Sequence, residues 1–150
     1  MTGTANNTKT LEALQAEAAD FVGSLVPKED GATLVTLSGE LGAGKTSFTQ
    51  GLAKALGVTD SITSPTFVLE KVYDLPEITS RGFARLVHID AYRLEGSESL
   101  LPLGVDLLLP DPSNLIILEW PEMVDGQLPS PDVSITITVE PDTTRTISYA

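Results

Sequence analysis

The chain has 150 residues, of which 41% are hydrophobic and 20% are charged, a composition typical of a globular protein and not of a disordered one. Nine basic and 21 acidic side chains give a formal net charge of −12, so the average surface repels a long polyanion. The sequence contains no cysteine, which excludes disulfides and thiolate metal sites.

The N-terminal segment, residues 1–10, is polar and lacks the apolar core of a secretory signal. No apolar run approaches the roughly 20 residues that a membrane-spanning helix requires. We therefore expect a soluble cytoplasmic protein that forms a single domain over residues 1–150, with residues 1–9 flexible and no contact with a membrane.

The first half of the chain alternates between helical and strand patterns. Apolar residues at helical spacing predict a first helix over residues 11–25. A short apolar run at residues 34–37 is typical of a buried strand, and residues 45–56 predict a second helix. Residues 67–73 alternate loosely between apolar and polar side chains, which favours a strand.

The second half of the chain contains further strands. Residues 86–90 and 115–118 are nearly continuous apolar runs, which fit strands covered by helices on both faces. Between them, part of residues 96–109 is predicted to be helical. Residues 133–139 alternate cleanly, and residues 144–149 return as a strand after a turn. The fold class is therefore α/β, with a mostly parallel central sheet and an antiparallel C-terminal hairpin.

A glycine-rich segment lies between the first predicted strand and the second helix. It matches the phosphate-binding pattern G-x-x-x-x-G-K-[ST]. Glycines let the backbone curl so that several N–H groups converge on one anion, and the helix that follows adds the positive end of its dipole. The segment therefore predicts a nucleotide site at Gly39, Gly42, Ala43, Gly44, Lys45, Thr46 and Ser47.

Three side chains of this segment have predicted roles. Lys45 reaches the β- and γ-phosphates, Thr46 supplies a hydroxyl to Mg²⁺, and Ser47 donates to the α-phosphate. A glycine turn that only caps a helix is the alternative, and the strand and helix on either side disfavour it. The segment alone identifies neither the base nor the fate of the phosphate.

Two carboxylates are candidates for the acidic partner of the metal. Asp90 closes the apolar run that begins at residue 86, and Glu119 closes the run that begins at residue 115. Parallel strands deliver both to the carboxyl edge of the sheet, where ligands bind in open α/β folds. Each is alternatively an ordinary polar residue where a strand meets solvent, and which of them positions the attacking water stays open.

Three other residues each admit two interpretations. Thr66, in the Ser64-Pro65-Thr66 segment, fits either a switch that senses the γ-phosphate or a proline turn before a strand. His88, the only histidine, lies in an apolar run, which favours a hydrogen-bonded core residue over a catalytic base. Trp120 is either a core residue or an exposed contact just beyond Glu119.

Four motifs occur in this order along the chain: Gly39-Glu-Leu-Gly-Ala-Gly-Lys-Thr-Ser-Phe48, Ser64-Pro-Thr-Phe67, His88-Ile-Asp-Ala-Tyr-Arg-Leu94 and Leu118-Glu-Trp120. The set is similar to the small bacterial ATPases of tRNA threonylcarbamoyladenosine biosynthesis, the TsaE (YjeE) family, over about residues 11–149. The family often has aspartate, threonine and leucine where this chain has Glu40, Ser47 and Ala91, and none of these departures removes a needed chemical group.

The resemblance implies a single P-loop ATPase domain of the three-layer P-loop NTPase-like type, which hydrolyses ATP with Mg²⁺. It implies that Thr46 and Glu119 surround the metal, that Asp90 is essential with Lys45 and Glu119, and that Trp120 lies beside the nucleotide. It also implies that Thr66 belongs to a mobile switch.

The resemblance further implies protein partners, namely the threonylcarbamoyl-transferase and its inactive paralogue. It implies that ATP hydrolysis resets the assembly of these proteins between turnovers. The charge of −12 argues against direct tRNA binding, which depends on several lysines or arginines.

Other nucleotide-dependent functions remain alternatives. A kinase acting on a small molecule or nucleoside needs an acceptor pocket and usually an arginine-bearing lid, and the arginines are scattered along this sequence. The sequence lacks the guanine-reading N-K-x-D pattern of GTPases, which disfavours a GTPase-like switch. A nucleotide-gated binding module with negligible turnover differs only in degree, since a partner can complete the site. Phosphate release without an added acceptor separates an ATPase from a kinase.

Overall fold

The computed structural model describes residues 4–40, 42–59, 70–76, 82–92 and 104–150. The seven strands of these ranges belong to one sheet. In chain order the elements are β1 (Thr4–Thr8), α1 (Leu11–Gly23), β2 (Thr33–Ser38), α2 (Lys45–Ala55), β3 (Glu70–Asp74), β4 (Arg85–Asp90), α3 (Val105–Leu108), β5 (Asn114–Glu119), a 3₁₀ helix (Pro121–Val124), β6 (Val133–Val139) and β7 (Arg145–Tyr149).

The centre of the sheet is parallel and both sides are antiparallel, in the order β1-β7-β6-β2-β5-β4-β3. Strand β2 pairs in parallel with β5 and β6, and β5 pairs in parallel with β4. The other pairs are antiparallel: β3 with β4, β7 with β6, and β1 with β7. The predicted α/β fold, with its parallel centre and its C-terminal hairpin β6–β7, is confirmed, and an antiparallel strand lies at each edge.

Helices cover both faces of the central strands. The side chains of β5 alternate between two cores, as they do in a strand buried on both faces. Leu115 and Ile117 pack with the buried faces of α1 and α2, whereas Ile116 and Leu118 pack with Val105 of α3 and with the 3₁₀ helix. The result is the predicted three-layer arrangement, and α1 and α2 form its thicker helical layer.

The N-terminal segment corrects one expectation. The expectation from the sequence is that residues 1–9 are flexible. Residues 4–8 instead form β1, which pairs along its whole length with β7, from Thr4 opposite Tyr149 to Thr8 opposite Arg145. The pairing uses backbone N–H and C=O groups, which every residue here possesses, so polar side chains at a sheet edge do not prevent it.

Three predictions fall wholly or partly on residues outside the described ranges. The predicted strand at residues 67–73 is described from Glu70 onward, and the predicted helix within residues 96–109 is described as α3. The switch segment with Thr66 lies outside the described residues. Within the ranges that the structure describes, no helix has the length and apolar character of a membrane span.

Candidate functional site

Three parallel strands end at one edge of the sheet. Strand β2 ends at Ser38, β4 at Asp90 and β5 at Glu119. The register places Asp90 opposite Glu119, and Glu119 opposite Leu37 of β2. Because parallel strands end together, the glycine-rich loop after β2 and both carboxylates meet at this edge.

Both carboxylates also face the layer that contains α2. Residues two apart in a strand point to the same face, and Leu86 of β4 and Ile117 of β5 pack under α1 and α2. Asp90 and Glu119 therefore point to the side on which α2 begins. They are 8% and 2% exposed, so the polypeptide surrounds both groups.

The glycine-rich loop has the backbone of an anion site. Gly39, Gly42 and Gly44 have φ values of 153°, 80° and 110°, which residues with a Cβ rarely adopt. Gly44 is the N-cap of α2 and carries no side chain to cap the helix. The first N–H groups of α2 therefore lack the usual side-chain cap, as in helices that bind an anion at the N-terminus.

The first glycine of the loop is required by packing as well as by φ. A Cβ at Gly39 would lie 2.5 Å from the carbonyl oxygen of Ile137, whereas a Cβ at Gly42 would meet nothing within 4 Å. We expect Gly39→Ala to lower the free energy of unfolding by about 1–3 kcal/mol more than Gly42→Ala, because backbone atoms must move. Urea denaturation of both variants measures the difference, and equal losses would contradict this account.

Lys45 is a buried cation at the first position of α2. Its side chain turns back onto the loop, where Nζ donates to the carbonyl oxygens of Gly39 at 2.5 Å and Glu40 at 2.9 Å. Nζ also lies 4.1 Å from the ring centroid of Trp120, in a cation–π contact. Within the described residues no ion pair joins Lys45 to a carboxylate, so its charge is available to an anionic ligand.

The surroundings of Lys45 act on its pKa in opposite directions. Burial lowers the pKa of the ammonium below its ordinary value, and the charges of Glu119, Asp90 and Glu122 oppose that effect. Desolvation is the larger of the two influences. The carboxylates are therefore near enough to act on Lys45 without forming a direct pair, and the loop holds a poorly solvated cation.

Comparison with known proteins identifies the family. The family model described as "Threonylcarbamoyl adenosine biosynthesis protein TsaE" matches residues 6–147. The chain belongs to the TsaE family. The resemblance inferred from the four motifs is thereby confirmed, and the match extends into β1 and β7, which flank the motifs.

Individual TsaE proteins are similar over most of the chain. The tRNA threonylcarbamoyladenosine biosynthesis protein TsaE of Treponema pallidum is 39% identical over 118 residues, which are 79% of this chain and 82% of that protein. The TsaE protein of Rickettsia bellii is 31% identical over 140 residues, which are 93% and 92% of the two chains. The crystal structure of Bacillus subtilis YdiB matches with a TM-score of 0.75 and 28% identity over 99% of this chain and 84% of YdiB.

In this member of the TsaE family Glu119 is anchored by His88. The imidazole Nε2 and the carboxylate Oε2 form a hydrogen bond between two buried side chains. His88 is thus a buried, hydrogen-bonded residue, as its apolar run indicated, but its partner was not foreseen. The register contains the signal, because Ile117 lies opposite His88 and Glu119 is two residues further along the same face.

Asp90 and Trp120 lie where β4 and β5 leave the sheet. Asp90 Oδ1 accepts a hydrogen bond of 3.0 Å from the backbone N–H of Tyr92, whose ring packs on Trp120 at a centroid distance of 4.9 Å. Trp120 adopts φ 60° and ψ 53°, an uncommon conformation for a bulky residue. Its backbone N–H donates to the carbonyl oxygen of Leu37 at 3.1 Å. The residue is half-buried, and its ring lies beside Nζ of Lys45.

The remaining predicted site residues occupy the loop and the first turn of α2. Ala43 is buried, and Thr46 and Ser47 are half-buried next to Lys45. Thr66 lies outside the described residues. The structure also adds one residue that sequence analysis treated as scattered: Arg145 donates from Nε to the carbonyl oxygen of Ala43 at 2.7 Å.

Proposed function

We propose that this TsaE-family chain binds and hydrolyses ATP with Mg²⁺ during formation of threonylcarbamoyladenosine in tRNA. One observation carries the proposal: a poorly solvated lysine lies in a glycine loop of positive φ, facing two buried carboxylates from adjacent strand ends. A cation in a backbone cradle suits a phosphate chain, and carboxylates suit its metal. Membership in the family supports the pathway.

The loop residues fit the phosphates of ATP. Lys45 donates from Nζ to two loop carbonyl oxygens, which are neutral acceptors and do not form an ion pair with the ammonium. In the proposed complex Lys45 holds the β- and γ-phosphates, and Ser47 in the first turn of α2 donates to the α-phosphate. The N–H groups at the start of α2 supply the rest of the cradle.

Thr46 and Glu119 fit a magnesium ion. One hydroxyl and one carboxylate suit Mg²⁺, an ion that takes few protein ligands and keeps waters and phosphate oxygens. His88 is bonded to Oε2 of Glu119, so the carboxylate is oriented while Oε1 is left to meet the metal or its water. When bound, Mg²⁺ neutralises charge on the β- and γ-phosphates.

Asp90 has a separate proposed role in the same site. It is paired with Glu119 in the sheet, and the Tyr92 backbone N–H fixes one of its oxygens at 3.0 Å. A carboxylate held in this way can orient the attacking water or the γ-phosphate beside Lys45. We include Thr66 as the γ-phosphate sensor, a role that rests on the sequence pattern and the family resemblance.

Phosphate release without an acceptor tests the reaction. We expect the purified protein with ATP and Mg²⁺ to release inorganic phosphate slowly, and faster in the presence of its partners. Omission of Mg²⁺ should stop the release. Transfer of the γ-phosphate to a nucleoside or another small molecule, with no release to water, would contradict the ATPase proposal and establish a kinase.

Trp120 offers a direct measure of nucleotide binding. It is the only tryptophan of the chain, and its ring lies 4.1 Å from Nζ of Lys45. Phosphates that bind the ammonium change the charge beside the ring, so we expect ATP to alter the intrinsic fluorescence in a saturable manner. Lys45→Ala is the matched control. The same saturable change in that variant would show that the signal does not come from the phosphate loop.

The proposed partners are the threonylcarbamoyl-transferase and its inactive paralogue, with no direct contact to tRNA. The charge of −12 opposes binding to a phosphate backbone, so protein surfaces are the expected contacts. We expect the complex mass measured by light scattering to increase with ATP and not without it. Lys45→Ala should fail to assemble. Tight tRNA binding by the protein alone at physiological salt would defeat this proposal.

A further inference from the structure

Arg145 connects the C-terminal hairpin to the phosphate loop. Its Nε donates to the carbonyl oxygen of Ala43 at 2.7 Å, and Nη2 makes a longer contact of 3.4 Å with the carbonyl oxygen of Gly42. Strand β7 runs antiparallel to β6, so its first residue lies at the edge where the parallel strands end. Ile147 and Tyr149 pack under α1 and α2, and Arg145 shares their face.

The bond to Ala43 sets the direction of the next N–H group. In a planar trans peptide the C=O and N–H groups point in opposite directions. With the Ala43 carbonyl turned to Arg145, the N–H of Gly44 points to the opposite side of the loop. The N–H of Ala43 donates to the carbonyl oxygen of Glu40 at 3.0 Å, and this bond closes the turn. The Gly44 N–H is therefore presented to a ligand.

Gly44 also packs directly against this arginine. A Cβ at Gly44 would lie 3.3 Å from Nε of Arg145 and 2.6 Å from Cδ2 of Leu14. The side chains of Leu14 and Arg145 thus occupy the space behind the last glycine of the loop. The guanidinium and the loop backbone fit closely, and a change at Arg145 acts first on residues 42–44.

We propose that Arg145 is a positioning residue, which holds the phosphate loop in its anion-binding conformation through the backbone and without touching the nucleotide. This inference rests on the proposed ATP site. A planar guanidinium can donate to two neighbouring carbonyl oxygens, whereas a lysine ammonium lacks this fixed fork. The fork is the feature on which the test depends.

The test compares Arg145→Met, Arg145→Lys and the control Arg85→Met. Arg85 bonds to Asp111 and Asn114 and lies at the start of β4, which is the opposite end of the sheet. Titration calorimetry measures the affinity for ATP and ADP, and amide hydrogen exchange measures the opening of residues 42–44. We expect Arg145→Met to weaken both nucleotides about tenfold and to speed exchange in the loop, with Arg145→Lys intermediate and Arg85→Met unchanged.

Each other outcome decides against a part of the argument. Wild-type affinity for both nucleotides in folded Arg145→Met overturns the inference. Wild-type affinity in Arg145→Lys also overturns it, because it would assign the effect to charge alone. Faster exchange across all strands of both Arg145 variants would show a general structural role and overturn it as well. If the wild type binds no nucleotide, the proposed function fails, and faster exchange confined to residues 42–44 still decides whether Arg145 holds the loop.

Discussion

Lys45→Ala is expected to abolish tight ATP binding in a protein that stays folded. The ammonium is the cation at the centre of the loop, and it lies among backbone groups that cannot replace its charge. Loss of its proposed bonds to two phosphates should weaken binding by roughly 100-fold or more. Isothermal titration with ATP and Mg²⁺ measures the loss. Lys54→Ala, an exposed lysine of the same helix, is the control and should bind normally.

The stability of Lys45→Ala follows from the direction of the pKa shift. Burial lowers the pKa of Lys45, so the folded protein holds this proton less tightly than the unfolded chain. The charged lysine therefore costs stability at neutral pH, and the cost declines as the pH rises toward the ordinary value of 10.5. Alanine removes this cost and also two hydrogen bonds to carbonyl oxygens. We therefore expect a small net change in the free energy of unfolding. Unchanged ATP affinity in the folded variant would refute the phosphate-loop assignment.

Glu119→Gln is expected to remove hydrolysis while keeping the fold. Glutamine retains the shape of the side chain and an oxygen for His88, but it lacks the charge that a metal or an attacking water requires. Loss of such a group lowers turnover by about 10²–10³-fold. Glu119→Ala is expected to lose the same activity and, in addition, about 1–3 kcal/mol of stability, because it leaves the buried Nε2 of His88 without its partner.

Turnover in the reconstituted complex is the measurement for Glu119→Gln. Glu122→Gln is a suitable control, since Glu122 is exposed and also acts on Lys45 through its charge. It should retain most of the activity. Normal turnover in a folded Glu119→Gln protein would show that Asp90 carries the role alone, and Asp90→Asn should then be the inactive variant.

The central fold could be predicted because each element has a strong local signal. The runs that became β4 and β5 are apolar almost without interruption, and burial on both faces requires this pattern. Strand β1 was missed because its residues are polar, and its pairing with β7 uses only the backbone. The stretch of sequence around β1 does not include β7, so it carries no signal for this pairing.

The same distinction applies to the site: some of its residues follow from local sequence, and some of its contacts join residues far apart in the sequence. The loop, Lys45 and the two strand-end carboxylates follow from a contiguous motif and from the rule that parallel strands end together. The bond between His88 and Glu119 depends on the register of two strands, and the bond from Arg145 to Ala43 spans 102 positions of sequence. Neither has a local signal, because each is set by which strands become neighbours.

The pairing of β1 with β7 has a consequence for the growing chain on the ribosome. Strand β1, residues 4–8, precedes the other described strands in the sequence and lies at the sheet edge beside β7, residues 145–149. Pairing between residues that are far apart in sequence is slow, and during synthesis it must wait until the later partner has been made. A nascent chain that stops before β7 therefore lacks the partner of β1 and the arginine behind the phosphate loop. Both are completed only when translation has passed β7.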